Sequence, residues 1–456
     1  MTKNAPEKGA QLDLRFNDLL ANGQGVGRHD GLAVFCFGPL PGERARVRVT
    51  AVKRNYAVAE MVELLERSDA RAQPFCPVFG ECGGCQVQHL SYSAQLEWKR
   101  TVVRNALERI GGFEDVRLEP TVAAGEGRAY RNKMSLVVDR SGPGLRLGFY
   151  RQRSHDVVPI EGCPIVLEQL DRGIGELNRA AHASATADAF QAVRHVVSRA
   201  SAATGESVVA LTTSKRSEQL RAAAPALTRT LSGVSGILNS YDLASDNAIL
   251  GRKAETLAGD PAIEETIDGI RYRVSVASFF QVNVAIVARI FEYLRPSVRR
   301  GQSILDLYCG AGTFALFFAR RDCRVLGVEE SGGAVAEARR NALLNGLQDR
   351  VRFEIGSAEA VLARAGVASA LVEADAVFLD PPRKGSDEGT LARLSDAKVP
   401  KIWYLSCDPA TLARDLRFLA AKNYRLEAVV PFDMFPQTGH VETLVTLTYQ
   451  KTCGDG

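Results

Sequence analysis

The sequence predicts an α/β protein whose C-terminal part is built on a parallel sheet, preceded by a small β module and a mixed α+β region. Three observations carry that prediction. From about residue 270 onward, SILDLYCG, RVLGVEE, VRFEIGS, AVFLDPPR and KIWYLSCDP are separated by helical patterns, the rhythm of βαβ units. The first 66 residues instead alternate apolar and polar side chains with period two, with turns at Gly31 and Pro39 to Gly42. Between these patterns, residues 67–90 are too rich in Pro, Gly and Cys to form a regular element.

A length of 456 residues suits two or three domains. The boundaries are expected at 1–66, 67–260 and 261–456. No run of about 18 apolar residues occurs, so a membrane-spanning helix is not expected. The start, MTKNAPEKGAQLDLRF, lacks the apolar core of a signal peptide. The nine cysteines are odd in number and unevenly spaced, which fits a reducing, cytoplasmic setting better than a disulfide framework. With 57 basic and 53 acidic residues the net charge is only +4, so any nucleic-acid footprint must be local. No sustained heptads occur, and a monomer is the expectation.

In the β module, Arg44, Arg46 and Arg48 share one strand face while Val47 and Val49 take the other. Such a row is either a solvated face or a phosphate-binding one. Apolar residues at helical spacing from Tyr92 to Ile110, stopped by Gly111 and Gly112, predict an amphipathic helix. Residues 128–153 carry seven basic side chains against only Asp139, with Tyr130, Phe149 and Tyr150 among them. That mixture suits phosphate contacts with base stacking, or a charged sheet surface. Residues 165–260 are Ala-rich with no functional motif, and His155, His182 and His195 show no ligand spacing.

In an open parallel sheet, ligands sit at the C-terminal strand ends. The strand SILDL runs into Tyr308-Cys309-Gly310-Ala311-Gly312, and the next ends in Glu329, placed to accept hydrogen bonds from a ribose. Tyr308 stands where a first glycine is expected. A later strand delivers Asp380-Pro381-Pro382-Arg383, whose prolines make a rigid loop. Arg383 follows the two prolines, whereas the methyltransferases of exocyclic base amines, whose motif Asp-Pro-Pro resembles, have an aromatic residue there, and this difference argues against amine methylation. The strand KIWYLS delivers Cys407, either a nucleophile or a packed thiol. Glu442 opens another apolar run and can act as a base if the fold returns it to the crevice.

Together SFFQVN, DLYCGAGTF, DPPRKG, SCDPATLARD and FPQTGHVET resemble the RNA uracil-C5 methyltransferases, and the first module resembles a TRAM domain, an OB-like RNA-binding barrel. The resemblance covers essentially the whole chain. It implies a Rossmann-like domain that uses S-adenosyl-L-methionine, with Gln281, Tyr308, Glu329 and Asp380 at cofactor-binding positions and Ser357 near the adenine. It also implies Cys407 as the nucleophile toward uracil C6 and Glu442 as acceptor of the C5 proton. Asp408 stands where many members have Asn.

Cys76, Cys82 and Cys85, with Cys163 downstream, can by spacing ligate zinc or an iron–sulfur cluster. The resemblance implies a 4Fe–4S cluster at these four positions. Members acting on tRNA typically lack both cluster and barrel, so it implies 23S rRNA as the substrate, with tRNA as the alternative. Two rivals remain: a non-catalytic iron–sulfur RNA-binding protein or chaperone, and a zinc-containing DNA methyltransferase.

Overall fold

A computed structural model describes residues 5–142, 144–245 and 248–451. Five strands, Gln11–Leu19, Gln24–His29, Leu32–Phe37, Arg44–Val52 and Tyr56–Glu66, close into a barrel. Period-two alternation puts Leu14, Phe16, Val34, Val47 and Val49 inside. The arginine row faces outward, but not as free charge. Arg44 pairs with Asp13 and Glu66, Arg46 with Asp13 and Glu63, and Arg48 with Glu60. Locally unopposed basic residues are thus matched by acids from neighbouring strands, and the face is a solvated ion-pair ladder.

The segment after the barrel leads into the helix Tyr92–Ala106, continued by a wider turn over Leu107–Gly111. Then a seven-stranded sheet forms in the order Lys253–Gly259, Val234–Tyr241, Ser207–Thr212, His195–Ala200, Lys133–Asp139, Arg146–Tyr150, Val157–Pro159. The Ala-rich stretch supplies four of these strands and two long helices, Glu168–His182 and Glu218–Thr230. Leu170, Ile174 and Leu177 lie at helical spacing against the strands on one face of the sheet. From its other face, Val197, Val208, Ala210 and Leu238 join the core of the next domain.

Basic residues 128–153 are mostly occupied within this fold. Arg140 donates to the carbonyls of Phe190, Gln191 and Val193, Arg146 pairs with Asp139, and Arg151 pairs with Glu81. Tyr130 is buried, its hydroxyl donating to the Pro436 carbonyl at 3.1 Å, so it is core and no stacking platform.

The C-terminal sheet runs Val351–Ile355, Arg324–Glu329, Ser303–Leu307, Ala376–Leu379, Lys401–Ser406, Glu442–Tyr449, Tyr424–Phe432. The first five strands are parallel and the last two antiparallel. Strand order reverses between Ser303–Leu307 and Ala376–Leu379, which opens the crevice where ligands bind in doubly wound sheets.

Candidate functional site

The parallel register sends Tyr308, Glu329, Asp380 and Cys407 out of one sheet edge. Glu442 reaches that edge from the opposite direction. Ser406 pairs with Thr443 in the antiparallel ladder, so the end of one strand and the start of the other meet. Gln281 enters from the loop before the helix Val284–Leu294, its backbone carbonyl accepting from Asn132 Nδ2 at 3.0 Å. All six residues line one cavity of about 930 Å³, together with Ser357, Arg383, His440 and Phe279.

The glycine-rich turn is shaped by a residue that is not glycine. Tyr308 has φ 68°, the left-handed conformation that a first glycine would take without strain. Its hydroxyl is 3.1 Å from Ser386 Oγ, which anchors the ring. Gly310 N–H donates to Glu329 Oε2 at 3.1 Å, and Ser331 N–H donates to Oε1 at 2.8 Å. The carboxylate is therefore fixed at its strand end. Ser357 caps the helix Ala358–Leu362, accepting from Ala360 N–H.

Cys407 precedes the helix Pro409–Ala420, whose N-cap Asp408 accepts from the amides of Ala410 and Thr411. Asp and Asn cap equally well, which explains why Asp408 is tolerated at this point. Burial pushes the Cys407 thiol up to about 11, Glu442 and Asp380 push the same way, and Arg383 and a backbone hydrogen bond oppose them. Glu442 is buried with Oε1 unpartnered, and burial followed by Asp380 raises its proton affinity well above a normal carboxyl. Burial raises Asp380 too, against a 3.3 Å hydrogen bond from Gln281 Nε2. Arg383 Nη2 lies 3.2 Å from His440 Nε2; the guanidinium donates, so the imidazole is neutral with its proton on Nδ1.

Residues 91–450 match the family model described as tRNA (uracil-5-)-methyltransferase, and residues 7–62 match the TRAM domain. The chain belongs to this methyltransferase family. It is an S-adenosyl-L-methionine-dependent RNA (uracil-C5) methyltransferase, with a TRAM domain at its N-terminal end. An uncharacterised RNA methyltransferase of Halalkalibacterium halodurans is 36% identical, covering 96% of each chain. One from Thermosynechococcus vestitus is 36% identical over 97% of this chain and 99% of its own. The solved Pyrococcus abyssi tRNA (uracil-54, C5)-methyltransferase, in complex with S-adenosyl-L-homocysteine, is 27% identical with a TM-score of 0.75. It is matched over 100% of its chain and 96% of this one.

The methyltransferase has two site features that motif reading missed. Phe279 is 71% exposed at the cavity edge, although its neighbour Phe280 packs into the core. An unusually exposed aromatic can be recognised only once burial is known. His440 lies inside the matched FPQTGHVET motif but carries no local signal of its partner Arg383, 57 residues away in sequence.

The four predicted cysteines come together. Cys76, Cys82, Cys85 and Cys163 line a second cavity of about 420 Å³, walled by Val78, Phe79, Tyr130 and Ile165. A bridge between Cys82 and Arg151 ties the loop of the first three cysteines to the central region, and one between Arg131 and Val166 ties the segment after Cys163 to it. Burial pushes Cys85 up to about 12 and Cys163 up to about 11, the neighbouring thiols adding to both. Among the described residues, no three His, Cys, Asp or Glu side chains are grouped to hold one metal ion. No helix among them is long and apolar enough to cross a membrane.

Proposed function

We propose that this methyltransferase modifies C5 of a uridine in structured RNA through a covalent Cys407 adduct, acting as a cytoplasmic monomer on 23S rRNA. The observation that carries this reading is the meeting of Cys407, Glu442 and the four cofactor-position residues in one cavity. That cavity is large enough for a nucleoside cofactor beside a flipped base. Its carboxylate at Glu329, held by two backbone amides, suits a ribose diol.

Uracil C5 is a weak carbon nucleophile. Cys407, its proton first lost to solvent, adds as thiolate to C6, and the C5–C6 π electrons move toward O4, which makes C5 an enolate carbon. Gln281, Tyr308, Glu329 and Asp380 would hold S-adenosyl-L-methionine, which would supply an electrophilic methyl group to C5 and be released as the thioether. Glu442 then takes the C5 proton; those electrons re-form the C5–C6 bond and the sulfur leaves as thiolate. The unpartnered Oε1 and buried setting of Glu442 give it both the free lone pair and the proton affinity for that step.

The cysteine cavity is proposed to hold a 4Fe–4S cluster. Three closely spaced cysteines and a remote fourth can ligate zinc or an iron–sulfur cluster, and the family resemblance supports the cluster. Its proposed role is to tie the two loops, outside the methyl-transfer steps. Anaerobic purification with iron and sulfide analysis tests it: four iron per chain is expected, and zinc at one per chain would overturn it.

A second reading of the substrate is tRNA. The Pyrococcus abyssi enzyme, named for tRNA, is matched over its whole length by nearly all of this chain, so possession of the barrel does not by itself select ribosomal RNA. Methyl transfer from radiolabelled cofactor to unmodified 23S rRNA and to unmodified tRNA, with nucleoside analysis, decides between them. The expected product is 5-methyluridine in 23S rRNA, lost with Cys407→Ala. Label in tRNA alone would transfer the assignment to the second reading. Label in DNA, or none in any nucleic acid, would sink the proposal.

A further inference from the structure

A third cavity, of about 400 Å³, lies between the barrel and the cysteine-bearing loop and shares no lining residue with the catalytic cavity. Its volume is in the range of sites that hold a small organic molecule, about 300–1,000 Å³. The wall is of mixed character in a particular way. Phe37, Met61 and Phe79 present apolar surface, and Gln73 and Gln152 contribute side-chain amides. Neither amide makes a hydrogen bond to protein among the described residues, and Arg67 forms no salt bridge there. None of the lining side chains is acidic. Of the carboxylates beside it, Glu43 is held bidentately by Arg71 at 2.6 and 2.7 Å, and Glu81 pairs with Arg151.

A buried group at the cavity also has one polar atom without a partner. His89 is only 5% exposed; the Gly38 carbonyl accounts for one ring nitrogen, and the other has no hydrogen-bond partner among the described residues. Its ring lies 5.3 Å from that of Phe79. Buried polar atoms are satisfied in the great majority of cases, so an orphaned imidazole nitrogen on a cavity wall marks where a polar ligand atom belongs. Apolar rings for a π-face, free amides for base edges, and an unopposed guanidinium for phosphate are the chemistry by which unstacked nucleotides are recognised.

We propose that this junction cavity binds a second, unstacked nucleotide of the RNA substrate and thereby selects which RNA is methylated. The inference rests on the reading that the substrate is RNA. Drawing the target uridine into the catalytic cavity deprives its neighbours of stacking partners, so a flanking nucleotide is available for capture.

The test uses the full-length protein, with Arg67→Glu and Gln152→Glu made singly and together. Both positions are at least partly exposed, and neither touches the catalytic cavity. The double variant is expected to raise KM for full-length RNA by roughly tenfold or more, with kcat within about twofold. Its KM for S-adenosyl-L-methionine, and for a short oligonucleotide carrying only the target uridine, should not change. In parallel, ultraviolet crosslinking of the wild-type complex should attach an RNA nucleotide to peptides containing Phe37, Phe79 or His89, and the double variant should lose it. Unchanged KM for the full-length RNA with no such crosslink would overturn the proposal while leaving the methyltransferase reading intact. Crosslinking at these peptides without methylation of any RNA would support the cavity and overturn the catalytic reading instead.

Discussion

In the proposed mechanism Cys407 adds to carbon from a cavity whose burial and carboxyls push its thiol up to about 11, with Arg383 as the opposing charge. The sign follows directly: a raised thiol pKa means the reactive thiolate is scarce at neutral pH and keeps increasing well into the alkaline range. In the free enzyme, alkylation of Cys407 by iodoacetamide should therefore rise about tenfold per pH unit from pH 7 to 9.5 without levelling. Peptide mass spectrometry isolates this thiol from the others, and a plateau below pH 9 would contradict the raised pKa. Arg383→Gln should slow alkylation further at every pH, because it removes the one charge that favours thiolate. Glu442 gives a separable outcome. Glu442→Gln keeps the side-chain shape but cannot accept the C5 proton, so the RNA should stay bound to Cys407 through sulfur. A gel-resolved covalent complex, denaturant-stable and absent in Cys407→Ala, is the expected readout, and normal turnover by Glu442→Gln would remove this residue from the mechanism.

The helix Tyr92–Ala106 sends Lys99 to Asp433 and Tyr92 to the same carboxylate, while Gln95 Nε2 donates to Gln437 Oε1 at 2.9 Å. These contacts fix the segment that leads into Glu442. Both charges of the Lys99–Asp433 pair are fully buried, so Lys99→Met leaves an unpaired carboxylate and should cost about 3–5 kcal/mol in denaturant unfolding. A loss under 1 kcal/mol would mean that water reaches Asp433. At this scale the sequence was informative where pattern and function are local. The βαβ rhythm, the strand ends carrying Tyr308, Glu329, Asp380 and Cys407, and the barrel's period-two alternation could all be read directly. Pairings across hundreds of residues could not. The acids opposing Arg44, Arg46 and Arg48 lie on other strands, and Tyr130 looked like a stacking residue because its burial against Pro436 has no local signature. The Ala-rich stretch gave no motif because its four strands serve packing, with Leu170, Ile174 and Val209 in one shared core.

At the scale of the molecule, the central sheet and the catalytic sheet are not independent bodies. Val197, Val208, Ala210 and Leu238 of the former belong to one apolar core with Phe378 of the latter, Phe314 of the helix Thr313–Ala319 and Tyr272 of a separate two-stranded hairpin. The barrel differs. Its interior is a separate cluster around Phe16, Val34 and Val47, and a small patch of Leu19 and Leu40 meets Val87, Leu90 and Trp98. Trp98 Nε1 donates to the Leu19 carbonyl at 2.9 Å across that seam. A barrel with its own core and a narrow seam should be removable without unfolding the rest, whereas no cut between the two sheets should be tolerated. A chain beginning at residue 67 is therefore expected to fold and to bind S-adenosyl-L-methionine within about threefold of the intact protein, since none of the cavity-lining residues lies in the barrel. Its affinity for RNA should fall by about tenfold or more, because both the barrel and one wall of the junction cavity are gone. Isothermal titration with cofactor and filter binding with RNA separate the two effects. Equal loss of both would mean that the seam carries more of the fold than its small apolar patch and the hydrogen bonds from Trp98, Arg71 and Arg153 suggest.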